Sequence, residues 1–524
     1  MRVTRWGAAL GAVTMLALTF TQPGHARAAA AADTWTGTWA ASPQSGGTSF
    51  NQQTIRQIVR TSIGGSAARI QLSNAFGDRP LVVSEVHVAR RTSGSSIDPG
   101  TDRRVTFGGQ PGVTIPVGAL AASDAVAFTV PAGADVVVSL YLPQPTGPAT
   151  YHQSGLQNNY VAAGNQSGSA NLTGAQTNGS YYFLANLDVQ NPAAEGAVVT
   201  LGASITDGIG SGFDVNRRWP NHLARNLAFA GRTIGVLNQG ISGNKLLQDG
   251  AGQSALKRFD RDVLNQPGVR WVIFSDDPIN DLGAGSGRPG ADQLIAGLRQ
   301  LIDRAHQRGV KFLCSTLTPF QGSGGWSAEG EQSRAAINNF VRSAGSGCDG
   351  VVDQDNATHD PARPTWFLPA YDTGDHLHPN EAGLQAIANA VNPNLFTGGG
   401  TPPPTTPIGA PTACGRLLPS QGLTTGQTLA SCDGRFQLRL QGDGNLVLYQ
   451  GTAALWSTGT AGRAVAQAAL RSDGDLTLTG STGETIWRTA TAGQPDTVFY
   501  VQGDGNLVIY SAGRPIWSSG TVVG

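Results

Sequence analysis

Three decapeptides near the end of the chain set the tightest limit on its fold. LQGDGNLVLY (440–449), LRSDGDLTLT (470–479) and VQGDGNLVIY (501–510) recur about every 30 residues, and Trp456, Trp487 and Trp517 follow them in step. In each unit a Gly-containing turn leads into a short β-rich run (LVLY, LTLT, LVIY), the pattern of a strand. One such unit cannot bury its own apolar face, so three copies predict an all-β module with pseudo-threefold symmetry.

The rest of the 524 residues exceeds one ordinary core and divides by pattern. Residues 1–31 carry Arg2 and Arg5, the apolar run GAALGAVTMLALTF and an alanine-rich stretch, which together read as a signal peptide. The run is shorter than the ~20 residues a membrane span needs, so no transmembrane anchor is expected and the mature protein is expected to be secreted and extracellular. Residues 33–194 hold short β-rich runs such as ARIQLSNAF, LVVSEVHVARR and DVVVSLYLP between turn residues, the pattern of a β-sandwich-like accessory domain.

From 195 to 396 the pattern changes. Apolar strand candidates (AVVTLGAS, TIGVLNQG, WVIFSDD, KFLCSTLTP, GVVDQD) alternate with helical stretches such as DQLIAGLRQLIDRAHQRG. That alternation predicts a doubly wound parallel sheet of the α/β/α type, with its ligand crevice beyond the carboxyl ends of the strands. Residues 397–413 are rich in Pro, Gly and Thr and predict an extended linker, leaving 414–524 for the repeat module. The chain is therefore expected to be multidomain.

Lys and Arg total 35 against 35 Asp and Glu, which gives no electrostatic reason for nucleic acid as a partner. Outside the cytoplasm the four cysteines fit two disulfides, Cys414 with Cys432 and Cys314 with Cys348, although two buried thiols would also suit the second pair. Neither pair has metal-ligand spacing, and no metal or other cofactor is implied.

Chemistry concentrates in four short blocks: GASITDG with Ser204, ISGN with Gly243, PIND with Asn280, and DHLHP with Asp375 and His378. A serine hydroxyl needs a base, a group that orients the base, and donors for the oxyanion. His378 can take the Ser204 proton, Asp375 can fix its tautomer, and the Gly243 N–H and Asn280 amide can face the developing charge. Over residues 195–396 these blocks resemble the SGNH/GDSL hydrolase family, and the resemblance implies those same roles for Ser204, His378, Asp375, Gly243 and Asn280. His376 lies beside Asp375 but is out of register with the motif, and Asp207 and Asp281 read as loop-capping residues.

Two positions depart from the family pattern. Ala203 stands where an aspartate is usual, which removes a carboxylate that could brace the nucleophile turn. Pro278 stands where a glycine is usual, and its fixed φ and missing N–H are expected to displace the turn carrying Asn280.

The repeats resemble the bulb-type mannose-binding lectins, whose site pattern is Gln-x-Asp-x-Asn-x-Val-x-Tyr. The first repeat matches with Gln441, Asp443, Asn445, Val447 and Tyr449, and the third with Gln502, Asp504, Asn506, Val508 and Tyr510. Positions two apart share one strand face and offer amide, carboxylate and hydroxyl groups to a sugar. The second repeat reads Arg471, Asp473, Asp475, Thr477 and Thr479, and is expected to leave its site empty.

The expectation is a secreted serine esterase that hydrolyses carboxylic esters, with acylated polysaccharide as the favoured substrate class, held near mannose-type glycan by its lectin module. The alternative is a glycan-binding or adhesion protein whose hydrolase domain is weak or inactive because of Ala203 and Pro278.

Overall fold

The computed structural model describes residues 35–283, 287–396, 411, 414–419, 421–471, 474–480, 485–491, 494 and 497–523. The expected signal peptide and, except for Pro411, the expected linker lie outside the described residues, as does Asp473.

The β-rich first part forms antiparallel sheets. One runs Trp35–Ala40 (β1), Leu184–Gln190, Ala67–Ser73, Leu120–Ala122; another is built around Gln53–Arg60, Asp135–Leu142 and Glu85–Ser93. Their apolar faces share one core that includes Ile55, Val59, Ile70, Leu72, Val136 and Val138. A third, small sheet places Thr150–His152 (β2) between Tyr181–Tyr182 and Gln44–Ser45.

Five strands follow: Gly196–Gly202 (β3), Ile234–Gly240 (β4), Val269–Phe274 (β5), Lys311–Ser315 (β6) and Gly350–Val352 (β7). They form one sheet in the order β4-β3-β5-β6-β7 with every pair parallel. All residues of β3 are buried, as a central strand covered on both faces requires. The connecting helices include Ser204–Asp207 (α1), Trp219–Phe229 (α2), Ala255–Phe259 (α3), Asp277–Asp281 (α4), Ala291–Gln307 (α5), Ala328–Arg342 (α6), Gln354–Thr358 (α7) and Glu381–Asn389 (α8). In α5 the buried Leu294, Leu298, Leu301, Ile302 and Ala305 recur at helical spacing, which puts one apolar stripe on the sheet. Cys314 and Cys348 form a disulfide from the end of β6 to the segment entering β7, and Cys414 and Cys432 form a second.

The first part docks on the β4 edge of this sheet. Gly37 in β1 donates its N–H to Pro267 O, and Ser62 Oγ accepts from Val236 N at 2.9 Å. A Cβ on Gly235 would lie 2.0 Å from Gly37 O, so only glycine permits this approach.

The repeats build three four-stranded antiparallel sheets, one per decapeptide: Thr428–Ala430 with Phe436–Leu440, Leu446–Gln450 and Ala453–Ser457; Gln421–Thr424 with Val465–Leu470, Leu476–Gly480 and Thr485–Arg488; Arg416–Leu417 with Thr497–Val501, Leu507–Ser511 and Arg514–Ser518. Trp456, Trp487 and Trp517 meet edge to face with centroids 5.7, 5.9 and 6.2 Å apart.

Candidate active site

The carboxyl end of β3 delivers Ser204 at the first position of α1, through a turn with no spare room. A Cβ on Gly202 would lie 2.2 Å from Thr206 Oγ1, and one on Gly240 would lie 2.3 Å from Asp207 N. The loop before α8 brings His378 across, so that its Nε2 lies 2.8 Å from Ser204 Oγ. His378 Nδ1 lies 2.6 Å from Asp375 Oδ2. Because a carboxylate only accepts, Nδ1 carries the proton and Nε2 is left to receive one from the serine.

Asp375 is itself held in place. Its Oδ1 accepts from Leu377 N, His378 N and Thr373 Oγ1 at 2.9, 2.8 and 2.9 Å. Burial alone would raise this carboxyl, but the His378 imidazole and the His378 and Leu377 N–H groups hold it well below the usual carboxylate range. His376 points elsewhere: its Nδ1 pairs with Asp372 and its ring packs on Trp366.

The two candidate oxyanion blocks interlock. Gly243 takes φ +79°, a left-handed turn position suited to glycine. Asn280 Nδ2 donates to Asn244 O at 2.8 Å, which leaves its second N–H for another acceptor. Asn244 Nδ2 donates in turn to the buried Asp277 at 2.8 Å. Asp281 caps the same loop by accepting from Leu246 N at 2.7 Å; burial pushes its carboxyl up to about 6.

The two sequence departures have structural answers. Pro278 sits in the first turn of α4, where no N–H is needed, and its carbonyl accepts from Leu282 N, so the expected displacement of this turn has no cause. The carboxylate missing at 203 is replaced from the neighbouring strand. Asp276, just past β5, accepts from Ile205 N at 2.8 Å and Thr206 Oγ1 at 2.5 Å. Burial pushes Asp276 up, against the hydrogen bonds that Thr206, Ile205 and Ala203 give it.

Sequence reasoning also missed two residues beneath the turn. The fully buried Arg258 at α3 donates to Gly202 O at 3.1 Å and to Gln239 O at 2.6 Å, and pairs with Asp262 and Asp277. His152 of β2 reaches Asp207 at 3.0 Å. Two acids past Ser275, after the apolar run WVIF, were the available sign for Asp276; nothing local marks Arg258 or His152. A cavity of about 360 Å³ opens at the seam between β1, β4 and α2, and none of Ser204, Gly243, Asn280 or His378 lines it.

On the repeat module the first and third faces are alike. Gln441 Nε2 donates to Tyr449 Oη at 2.8 Å and Gln502 Nε2 to Tyr510 Oη at 3.0 Å. Asp443 and Asp504 are exposed, while Val447 and Val508 are buried floors. Asn445 Oδ1 accepts from Thr458 Oγ1 and Thr460 N, each at 3.1 Å. Asp475 does the same for Thr489 and Thr491, so at that position the second repeat keeps the loop-holding role. Its face meets the hydrolase region instead: Arg471 Nη1 donates to Phe229 O at 2.7 Å, and the Arg488 guanidinium lies over the Phe229 ring.

Comparison with known proteins finds the GDSL-like Lipase/Acylhydrolase family matching residues 200–386. A mannose-specific lectin of Aloe arborescens is 37% identical over 91 residues, 17% of this chain and 82% of the relative. The mannose-specific agglutinin of snowdrop (Galanthus nivalis) bulbs, solved with methyl-α-D-mannoside, is 34% identical over 21% of this chain and 99% of its own, with a TM-score of 0.18. A candidate acylhydrolase from Bacteroides fragilis is 22% identical, covering 38% of this chain and 86% of its own, with a TM-score of 0.30.

Proposed function

Because the chain belongs, over the 91 residues shared with the aloe protein, to the mannose-specific lectins, and because residues 200–386 match the GDSL-like acylhydrolases, we propose that it is a secreted esterase with a sugar-binding module. The observation that carries the esterase reading is the chain of contacts Ser204 Oγ to His378 Nε2 to Asp375, at 2.8 and 2.6 Å. Ser204 attacks the ester carbonyl as His378 takes its proton. His378 then returns that proton to the leaving alcohol, and water attacks the acyl-enzyme by the reverse route. The Ser204 and Gly243 N–H groups and the remaining Asn280 N–H stabilise the oxyanion. Asp375 keeps the imidazole in the tautomer that leaves Nε2 unprotonated, and stabilises it once charged.

The architecture in this reading is a β-sandwich-like accessory domain, a doubly wound α/β/α hydrolase and a three-sided β-prism lectin. The two intact faces, Gln441 to Tyr449 and Gln502 to Tyr510, take mannose-type sugar. Holding the catalyst on glycan raises its concentration near acylated polysaccharide. The export-like first residues and the two disulfides support an extracellular setting, and among the described residues no helix is long and apolar enough to cross a membrane. The adhesion-only alternative loses its motive, since Asp276 supplies the missing carboxylate and Pro278 fits its helix.

The test is hydrolysis of a short-chain aryl ester by the purified full chain, with labelling by a serine-directed phosphonate. Ser204→Ala should abolish labelling and, like His378→Ala, cut turnover by orders of magnitude. Wild-type rates in both variants would overturn the assignment.

A further inference from the structure

His152 belongs to the antiparallel sheets of the first part, 52 positions before the nucleophile, yet its ring is buried against the nucleophile helix. Its Nδ1 lies 3.0 Å from Ser42 O and its Nε2 lies 3.0 Å from Asp207 Oδ1. A carbonyl can only accept, so Nδ1 carries a proton. A carboxylate also only accepts, so a second proton must lie between Nε2 and Asp207. Both side chains are buried, in the wall of the cavity between β1, β4 and α2, and the contact fixes the Asp207 carboxylate.

The other end of Asp207 faces the candidate oxyanion loop. Its Oδ2 accepts from Ser242 N at 2.9 Å and from Ser242 Oγ at 2.6 Å, and Gly243 is the next residue. Ser42, which anchors the far side of the imidazole, is equally fixed. Its Oγ bonds Gln239 Oε1 at 2.5 Å and Asp262 Oδ2 at 3.1 Å and receives Arg258 Nη1 at 2.9 Å. A continuous path therefore runs from Ser42 through His152 and Asp207 to the Ser242–Gly243 turn, and every carboxylate oxygen and ring nitrogen on it is occupied.

We propose that His152 is a positioning residue for the Ser242–Gly243 turn, so that the accessory region completes the oxyanion-binding geometry of the hydrolase. Asp207 without its imidazole would be a buried carboxylate free to rotate, and the Ser242 N–H it holds would move with it. A donor misaimed by about 1 Å costs on the order of 100-fold in rate while substrate binding is little changed. This inference rests on the esterase reading above, and Ser204→Ala keeps the two separable.

The experiment uses the full chain and an aryl ester. His152→Ala should lower kcat about 10- to 100-fold with KM within about threefold, and slow phosphonate labelling of Ser204 to a similar extent. His152→Gln, whose amide can replace the Nε2 donor, should recover much of the loss. His152→Phe, which keeps an aromatic ring but offers Asp207 no donor, should lose kcat as His152→Ala does, and its effect should be non-additive with that of Ser242→Ala, because both act through Asp207. That comparison still decides the matter if His152→Ala does not fold. Wild-type kcat in His152→Ala, equal loss in the Ala and Gln variants, or additive effects of His152→Phe and Ser242→Ala would each overturn the proposal. If Ser204→Ala itself keeps wild-type activity, the esterase reading has failed instead.

Discussion

Replacing Asp276 by alanine tests how this chain does without an acid at position 203. The Asp276 carboxylate is 2% exposed and receives the Ile205 N–H at 2.8 Å and the Thr206 hydroxyl at 2.5 Å. Truncation leaves both donors in a dry pocket, and an unmet buried donor costs about 1–3 kcal/mol. Trp219 Nε1 already donates to Thr206 Oγ1 at 3.3 Å and offers no substitute acceptor, so a loss of about 3 kcal/mol is expected in the thermal transition of the hydrolase region. Ile205 directly follows Ser204, so kcat should fall about 100-fold as the Ser204 turn relaxes. Asp276→Asn keeps an acceptor for the Ile205 N–H and should be mild in both respects. Ala203→Asp should not improve the enzyme: position 203 is fully buried, and a further carboxylate there would lie beside the buried Asp276. Thermal unfolding followed by tryptophan fluorescence, with steady-state kinetics on one aryl ester, measures all three variants. An Asp276→Ala protein within about 0.5 kcal/mol of wild type with unchanged kcat, or a faster Ala203→Asp, would refute the reasoning.

Asp281, pushed up to about 6 by burial, supplies stability below pH ~4 that is lost as pH rises through 6. Asp281→Asn should therefore gain on wild type by up to about 3 kcal/mol between pH 4 and 7, and a pH-independent difference in urea midpoints would count against this. Removing the Cys314–Cys348 bridge, which spans 34 residues, by Cys314→Ser with Cys348→Ser should cost about 4 kcal/mol in chain entropy, read as a lower denaturation midpoint. Trp487→Ala should weaken retention on immobilised mannose although its own repeat has the broken pattern; unchanged retention would separate the repeats. Asp443→Ala with Asp504→Ala should abolish that retention at unchanged melting temperature.

The parallel sheet was legible because its strands are short apolar runs and its longer helices carry one apolar stripe, as Leu294 to Ala305 shows. The helices Ala255–Phe259 and Gln354–Thr358 were not, since five residues hold too little periodicity to register. Ser204, Asp375 and His378 were legible as a set, and the structure brings them together. What escaped is the support beneath them. Asp276, Arg258 and His152 act on partners 71, 56 and 55 positions away, and such pairings exist only once the strands are ordered side by side. Ala203 looked like a defect for the same reason, because Asp276 makes up for it from beyond another strand, whereas Pro278 looked like one because the five residues of α4 are too few to read as a helix with Pro in its first turn. Asp475 looked like a lost ligand, whereas its loop-holding partners Thr489 and Thr491 sit on the far side of the next hairpin.

The three tryptophans of the repeat module bear on how such a module can change over time. Each ring leans edge-on against the other two, so each hairpin is a leg of one tripod and none stands without its neighbours. A repeat whose pattern residues differ cannot then be discarded, because Trp487 still braces the other two. The second face instead presents Arg471 and Arg488, against helix α2. An altered face in a tripod is thus open ground: its inward half is held by its neighbours, while its outward half can take up a new attachment without disturbing the other two.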